Sequence, residues 1–134
     1  MGFALHLLDS IGELASIYSL ATVAFVGGSL VPRGGHNILE PAQFGKAIVV
    51  GPYTENFREI VQIFLAQGAA QVATEENLGE TLLLLLQNLP MRERLGHNAH
   101  AVMQANQGST ARTLELLDSL LSSACSSAPQ WAAR

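Results

Sequence analysis

The residues whose types and order suggest chemistry lie in one stretch, residues 27–41, which reads GGSLVPRGGHNILEP. A glycine loop that leads into a helix start presents bare main-chain N–H groups, and such groups bind anions such as phosphate. Gly34 and Gly35 would let the main chain approach a ligand closely, where any side chain would intrude. The stretch therefore predicts an anion site, but a glycine-rich turn without a ligand is the alternative.

The residues on either side predict the elements that would position this loop. The preceding run, Val23-Ala24-Phe25-Val26, is β-branched and aromatic, which is typical of a buried strand. After the loop, Asn37 is a good helix N-cap, and Glu40 three residues later completes a pair like a capping box. Pro41 has no N–H to donate, so it must lie within about the first turn of this helix.

The rest of the chain alternates strands with helices. Further strands are predicted over residues 4–8, 47–50 and 70–73, and a helix with an apolar stripe of Leu14, Ile17, Tyr18 and Ala21 opens near residue 11. Helices are also predicted over residues 58–67, with Ile60, Ile63 and Phe64 facing in, and from a cap at residues 74–76 to residue 89. Pro90 would end that helix, and Gly108-Ser109 would separate two more, over residues 91–107 and 110–121.

This alternation predicts βαβ crossovers and a parallel sheet, in which ligands bind beyond the carboxyl ends of the strands. Residues 11–13 and 27–40 both fall in loops around a strand end or at a helix start. The predicted architecture and the positions of the polar residues therefore both place a ligand site at the carboxyl edge of the sheet.

Composition excludes several classes of protein. The chain has 134 residues, 49% of them hydrophobic, which allows one modest core. Only 13% are charged and the net charge is −4, whereas nucleic-acid binding requires clustered Lys and Arg. No apolar run approaches the roughly 18 to 20 residues of a membrane span, and the N-terminus lacks a signal-peptide pattern, so we expect a soluble cytoplasmic chain.

The single cysteine, Cys125, excludes an internal disulfide and a cysteine metal cluster. It lies in residues 122–134, SSACSSAPQWAAR, a low-complexity stretch that we predict to be a disordered tail. The one predicted domain therefore covers residues 1–121.

The central string, followed by Phe44-Gly45-Lys46 and Gly51-Pro52-Tyr53-Thr54, closely resembles the 3-deoxy-D-manno-octulosonic acid (Kdo) transferases. Upstream, Asp9-Ser10-Ile11-Gly12-Glu13-Leu14 matches the family pattern D-[TS]-x-G-E-L. The likeness runs from about residue 7 to residue 121 and covers only the C-terminal part of the family's longer members. It implies an α/β fold, a Rossmann-like parallel sheet with flanking helices that forms the C-terminal half of a GT-B glycosyltransferase.

The resemblance also implies which residues bind the cytidine monophosphate (CMP) part of the sugar donor. They are Ile11, Gly12, Glu13, Asn37, Ile38, Leu39 and Glu40. Glu40 would accept both ribose hydroxyls, although a carboxylate in a first helical turn is also common because the helix dipole favours it. Asn37, Ile38 and Leu39 would offer main-chain N–H groups to the nucleotide.

Further candidates near the phosphate are Arg33, Gly34, Gly35 and His36. His36 could act as a general acid, a phosphate donor or a packed loop histidine, and Arg33 either pairs with phosphate or is solvated. Ser29, His36 and Asp9 could form a triad, but nothing like a nucleophile elbow surrounds the serine. We expect no catalytic residue in this chain, no metal and no cofactor.

The implied function is the CMP-Kdo-binding part of an enzyme that transfers Kdo to a lipid A precursor in lipopolysaccharide core biosynthesis. The family's proposed catalytic base, its acceptor site and its membrane-associating segment belong to an N-terminal domain without a counterpart here. The full-length enzyme would work at the cytoplasmic face of the inner membrane, and this chain alone would be inactive. Two alternatives are a non-catalytic nucleotide-binding or interaction module with the GT-B fold, and a relative that uses another nucleotide sugar.

Overall fold

The computed structural model describes residues 4–9 and 12–126, without the side chains of residues 107–112 and 123–126. Strands and helices alternate along the chain. The helices are α1 (Leu14–Leu20), α2 (Leu39–Gln43), α3 (Arg58–Ala66), α4 (Leu78–Gln87) and α5 (Leu89–Ser126), and a short 3-10 helix (Glu55–Phe57) precedes α3. The strands are β1 (Val23–Val26), β2 (Ala47–Val50) and β3 (Gln71–Val72).

The three strands form one parallel sheet in the order β1-β2-β3. Val23 pairs with Ala47 and Val26 with Val50, so β1 and β2 run in register over their whole length. Each crossover carries a helix, α2 between β1 and β2 and α3 between β2 and β3. The predicted α/β fold with a parallel sheet and flanking helices is confirmed.

The central strand shows why the sheet needs helices on both faces. All four residues of β2 are buried, and they alternate between two hydrophobic clusters. Ile48 and Val50 pack on one face with residues of α2 and α3, among them Ile38 and Phe64. Ala47 and Val49 pack on the other face with Leu85 of α4 and Leu95 of α5. A continuous apolar strand is what a parallel sheet covered on both faces requires.

The beginning of the chain departs from the prediction. Residues 4–9 form no strand, and Leu5 and Leu7 are 98% and 90% exposed. An apolar run becomes a strand only where a neighbour completes its hydrogen bonds, and β1 pairs with β2 instead. Helix α1 begins at Leu14 rather than near residue 11, and Ile17 of the predicted stripe is 47% exposed.

Helix ends in the second half also differ. Asn77, not residues 74–76, is the N-cap of α4, which ends at Gln87. Pro90 does not end α4 but lies in the first turn of α5, where its missing N–H costs nothing. The Asn88 side chain accepts the Met91 N–H at 3.0 Å, which satisfies a donor of that first turn. In α3, Val61 is buried and Ile63 is 43% exposed, so the prediction that Ile63 faces in was wrong.

Helix α5 runs without a break through Gly108-Ser109, where two helices were predicted. A helical glycine costs only about 1 kcal/mol, which a long helix tolerates. The helix continues to Ser126, so the first residues of the predicted tail are helical, and residues 127–134 lie outside the described part.

By internal packing the chain divides into two units, Met1–Met103 and Gln104–Arg134. The sheet and both hydrophobic clusters belong to the first unit. In the second unit, the exposed large apolar residues are Leu114, Leu116, Leu117, Leu120 and Leu121. The predicted domain boundary after residue 121 stays a prediction. Within the described residues, no helix has both the length and the apolar content needed to cross a bilayer.

Candidate functional site

A cavity of about 360 Å³ lies at the carboxyl end of β1, where parallel sheets bind ligands. Helix α1, the end of β1, the loop after it and the first turn of α2 all contribute to its wall. The lining residues are Leu14, Tyr18, Val26, Gly27, His36, Asn37 and Glu40. The fold therefore brings three of the predicted residues, His36, Asn37 and Glu40, to one cavity.

Glu40 is the chemically most informative residue of the cavity. It is half-buried in the first turn of α2. No hydrogen bond or ion pair joins its carboxylate to any residue that the structure describes. A half-buried carboxylate without a protein partner costs free energy unless a ligand or water donates hydrogen bonds to it. Glu40 therefore offers an acceptor to whatever enters the cavity.

Tyr18 is the residue whose ionisation responds to this carboxylate. Burial raises the pKa of the Tyr18 phenol above its ordinary value of 10.0, and the negative charge of Glu40 raises it further. The phenol thus stays protonated and remains a hydrogen-bond donor at neutral pH. The cavity therefore contains a hydrogen-bond donor, the Tyr18 hydroxyl, and an acceptor, the Glu40 carboxylate, which interact electrostatically.

The start of α2 differs from the predicted capping box. Ile38, not Asn37, is the N-cap, and Asn37 Oδ1 accepts the Leu39 N–H at 3.0 Å. This bond engages one of the three main-chain N–H groups that were expected to face the nucleotide. The Ile38 side chain is 0% exposed in the core, so this residue can reach a ligand only through its main chain.

The glycines of the loop serve the protein's own packing. Gly34 and Gly35 are buried with φ of 82° and 73°, a region that favours glycine. A Cβ on Gly34 would collide with the Asn56 side chain, and one on Gly35 would lie 3.2 Å from the Tyr53 carbonyl oxygen. The space beside both glycines is thus filled by residues 53–56 and not open to a ligand. Their geometry favours a positioning role over close phosphate approach.

Ser29 connects the end of β1 to the end of β2. Its side chain is 0% exposed, donates to the Val26 carbonyl oxygen at 2.5 Å and accepts the Gly51 N–H at 2.7 Å. Its main-chain oxygen accepts the Tyr53 N–H at 2.9 Å. A hydroxyl that is buried and bonded in this way is structural, which argues against the nucleophile of a triad.

His36 and Arg33 differ in their relation to the cavity. His36 lies on its rim, exposed, over a glycine: a Cβ on Gly28 would come within 3.0 Å of the imidazole. Arg33 is exposed and does not line the cavity, and its carbonyl oxygen accepts a hydrogen bond from Asn56 Nδ2 at 3.4 Å. Of the two side chains, only that of His36 is placed to contact a ligand in the cavity.

The upstream segment is only partly visible. Ile11 lies outside the described residues. Gly12 has φ of 97° and nothing within 4 Å of where a Cβ would be, so its backbone conformation, not crowding, favours glycine. Glu13 is the N-cap of α1, and its carbonyl oxygen accepts the Ile17 N–H at 3.2 Å. These residues directly precede Leu14 of the cavity wall.

Sequence reasoning missed four lining residues: Leu14, Tyr18, Val26 and Gly27. Leu14 and Tyr18 were interpreted as a core-facing stripe, yet α1 has no buried residue. Their spacing of four residues places them on one helix face, directly after the G-E-L motif. That adjacency was the available signal for a ligand-facing role.

A second hollow of about 530 Å³ lies beyond β2 and β3, lined by Leu30, Pro52, Tyr53, Thr74, Glu75 and Glu76. It contains two carboxylates and no basic side chain, so it suits an anionic phosphate poorly. In residues 4–9 and 12–126, no three His, Cys, Asp or Glu side chains come together as a metal site.

Comparison with known proteins finds relatives in the family that the sequence resembles. No protein-family profile matches the sequence. The chain is 42% identical over 111 residues to 3-deoxy-D-manno-octulosonic acid transferase of Haemophilus influenzae, a match that covers 81% of this chain and 26% of that protein. It is 36% identical over 114 residues to the enzyme of the same name from Bordetella pertussis, covering 84% of this chain and 27% of that protein.

A solved structure gives the same result for the fold. The C-terminal CMP-Kdo binding domain of WaaA from Acinetobacter baumannii matches with a TM-score of 0.68 and 42% identity, over 72% of this chain and 51% of that one. This chain thus spans about a quarter of the curated relatives and about half of the solved domain. The predicted fold, part of the C-terminal half of a GT-B glycosyltransferase, is confirmed. By sequence and by fold, the chain belongs to the 3-deoxy-D-manno-octulosonic acid transferase family and corresponds to a portion of its C-terminal domain.

Proposed function

We propose that this chain is the donor-binding part of a Kdo transferase and that the cavity at the end of β1 receives the CMP portion of CMP-Kdo. The observation that supports it most directly is Glu40, a half-buried carboxylate that has no hydrogen-bond partner among the described residues and lines a cavity of about 360 Å³. The structurally similar domain of Acinetobacter baumannii is described as CMP-Kdo binding.

Glu40 and the ribose form the first contact of this proposal. The two vicinal hydroxyls of a ribose are both donors, and one carboxylate has acceptor sites for both. Hydrogen bonds to an ionised group are stronger than neutral ones. Because the described residues donate no hydrogen bond to the half-buried Glu40 carboxylate, hydrogen bonds from the ribose hydroxyls would favour nucleotide binding.

His36 and Asn37 form the phosphate side of the same site. Both line the cavity, four and three residues before Glu40 along the chain. In Kdo transfer, an acceptor hydroxyl oxygen attacks the anomeric carbon of Kdo, and CMP leaves with the electrons of the broken C–O bond. The negative charge that grows on the phosphate is stabilised by nearby donors, and the imidazole of His36 and the amide of Asn37 can donate.

The remaining parts of the reaction belong to the complete enzyme in this proposal. The proton of the acceptor hydroxyl goes to a base in the N-terminal domain, which also binds the lipid A precursor. The complete enzyme acts at the cytoplasmic face of the bacterial inner membrane, in lipopolysaccharide core biosynthesis. In this proposal Ile11, Gly12, Glu13 and Ile38 also contact CMP, and Leu39 does so when the nucleotide replaces Asn37 Oδ1 as the acceptor of its N–H. Arg33, Gly34 and Gly35 position the loop.

Titration of the chain with CMP, UMP and AMP, followed by calorimetry and NMR, tests the proposal. We expect CMP to bind best, with a Kd of about 1 mM, near −4 kcal/mol, because the chain holds only part of the contact set. Glu40→Ala should weaken CMP binding by about 1.5 to 3 kcal/mol, the range for a hydrogen bond to a charged group.

Glu80→Ala is the matched control, since Glu80 is an exposed first-turn residue of α4 away from the cavity. It should leave CMP binding unchanged. Deoxy-CMP should lose little further affinity on the Glu40→Ala variant if the ribose hydroxyls are the target of Glu40. Equal binding of the three nucleotides, or no binding of CMP, would overturn the proposal.

A further inference from the structure

Helix α1 is an unusual cavity wall because it contributes nothing to the hydrophobic core. None of its residues is buried, and Leu14 is 47% exposed. Tyr18 is nevertheless half-buried, and it lines the same cavity as Glu40. Leu14 and Tyr18 therefore lie on one helix face that is outside both hydrophobic clusters and faces the cavity. Their apolar surface can contact a ligand.

Two hydrogen bonds to main-chain carbonyl oxygens hold the last turn of α1, which carries Tyr18, in place. Lys46 Nζ, at the beginning of β2, donates to the carbonyl oxygen of Ser19 at 2.9 Å. Ser19 directly follows Tyr18, so this bond ties the last turn of α1 to the sheet. The Ala21 N–H also bonds the Tyr18 carbonyl oxygen at 3.2 Å, which closes the helix at its C-terminus.

The cavity wall has two chemically distinct parts. His36, Asn37 and Glu40 are polar, and they come from the loop and from α2. Leu14 and the ring of Tyr18 come from α1, and they are apolar except for one hydroxyl. A nucleoside monophosphate has the same division, with a polar ribose phosphate and a flat base that packs well against an aromatic or aliphatic surface.

We propose that Tyr18 is a base-contacting residue of this site: its ring, with Leu14, packs against the pyrimidine, and its hydroxyl donates a hydrogen bond to the base. This rests on the proposed function, because it assumes that CMP occupies the cavity with its ribose at Glu40. Cytosine offers two acceptors on its edge, O2 and N3, and the neutral phenol is a donor. A phenol is protonated at neutral pH, and burial of Tyr18 raises its pKa further in the same direction.

Two variants separate the hydroxyl from the ring. Tyr18→Phe keeps the ring and removes the donor, and we expect CMP affinity to fall about threefold to tenfold, the range of one net hydrogen bond. Tyr18→Leu removes the aromatic surface as well and should lose more. Tyr53→Phe is the matched control: Tyr53 lies at the other hollow, and its substitution should leave CMP affinity unchanged.

Deoxy-CMP distinguishes a base contact from a ribose contact. It keeps the base, so Tyr18→Phe should weaken deoxy-CMP by the same factor as CMP. The Tyr18→Phe effect should also persist in the Glu40→Ala background. If the effect disappears with deoxy-CMP or in that background, Tyr18 acts on the ribose or through Glu40, and the base contact is wrong.

The pKa of the Tyr18 phenol provides a further test, because CMP should not change the pKa of a tyrosine that does not contact it. In a Tyr53→Phe background Tyr18 is the remaining tyrosine, since the chain has two, and the NMR chemical shift of its ring carbon Cζ reports its ionisation. Saturating CMP should raise the Tyr18 pKa further, because donation to the base favours the protonated form. An unchanged pKa with CMP bound would contradict the proposal.

The results also separate this inference from the proposed function. If wild-type chain binds no CMP, or if Glu40→Ala has no effect, the assignment of the cavity fails and the Tyr18 contact fails with it. If CMP binds in a Glu40-dependent way while Tyr18→Phe and Tyr18→Leu bind as the wild type, only the Tyr18 inference is overturned. NMR spectra of each variant establish that the fold is retained.

Discussion

At the scale of single residues, the loop after β1 is organised by Ser29. The sequence around this serine argued against a place in a triad, and its hydroxyl is buried between an acceptor at the end of β1 and a donor directly after β2. A Cβ on Gly51 would collide with the main-chain oxygen of Ser29, so the two loops touch at main-chain level. The residue therefore determines where the cavity wall begins, without touching a ligand.

Ser29→Ala should destabilise the chain by about 1 to 3 kcal/mol, because the Gly51 N–H would stay buried without its acceptor. Urea unfolding followed by circular dichroism measures this as a lower midpoint at an unchanged m-value. The control is Ser19→Ala, whose exposed hydroxyl bonds the Ser16 carbonyl oxygen of its own helix. It should change stability by less than about 0.5 kcal/mol, and equal effects of the two substitutions would contradict a special role for Ser29.

At the scale of elements, the approach of α5 to the loop after α2 depends on a glycine. A Cβ on Gly96 would collide with the main-chain oxygen of Gly45, and Gly45 itself has φ of 62°. Gly96 is buried, whereas Gly79 of α4 is exposed with nothing within 4 Å of a Cβ. Two helical glycines in one chain thus occupy opposite environments.

We expect opposite signs for the two alanine substitutions. Gly96→Ala should destabilise by about 1 to 3 kcal/mol, since the methyl group forces α5 away from the loop. Gly79→Ala should stabilise by up to about 1 kcal/mol, because alanine loses less backbone entropy in a helix. Thermal unfolding of both variants measures the effects, and a stable Gly96→Ala chain would show that this contact is not close in solution.

At the scale of the whole molecule, the chain has one cavity that we propose to bind the donor, and it spans about a quarter of the length of its curated relatives. Glycosyl transfer needs a donor site, an acceptor site and a base within hydrogen-bond reach of the attacking hydroxyl. In the GT-B fold the donor site lies in the cleft between two domains, and both domains exclude water from the reacting groups.

We therefore predict that the purified chain does not transfer Kdo from CMP-Kdo to a lipid A precursor. Fusion of an acceptor domain from a Kdo transferase upstream of the chain should restore transfer, and Glu40→Ala should reduce the restored activity. Product formation by the unfused chain, abolished by Glu40→Ala, would show that it contains the catalytic machinery.

The sequence by itself determined the bounds of β1 and β2 and the family, and it selected Glu40 as the candidate site residue. β1 and β2 have the predicted bounds because each is a short apolar run rich in β-branched residues, and a glycine directly after it ends the strand. The string GGSLVPRGGHNILEP identified the family, and that resemblance implied Glu40 as the residue that accepts the ribose hydroxyls. Each of these inferences depends on neighbours along the chain, which a sequence displays directly.

Only the tertiary structure decided which neighbours in space each residue has. Gly34 and Gly35 lie against residues 53–56, Ser29 joins two strand ends, and Tyr18 faces the cavity instead of a core. Residues 4–8 had the pattern of a strand but no strand to pair with. Periodicity reports which face of an element is apolar, and it cannot report whether protein, ligand or solvent lies opposite that face, because the packing partner is distant in sequence.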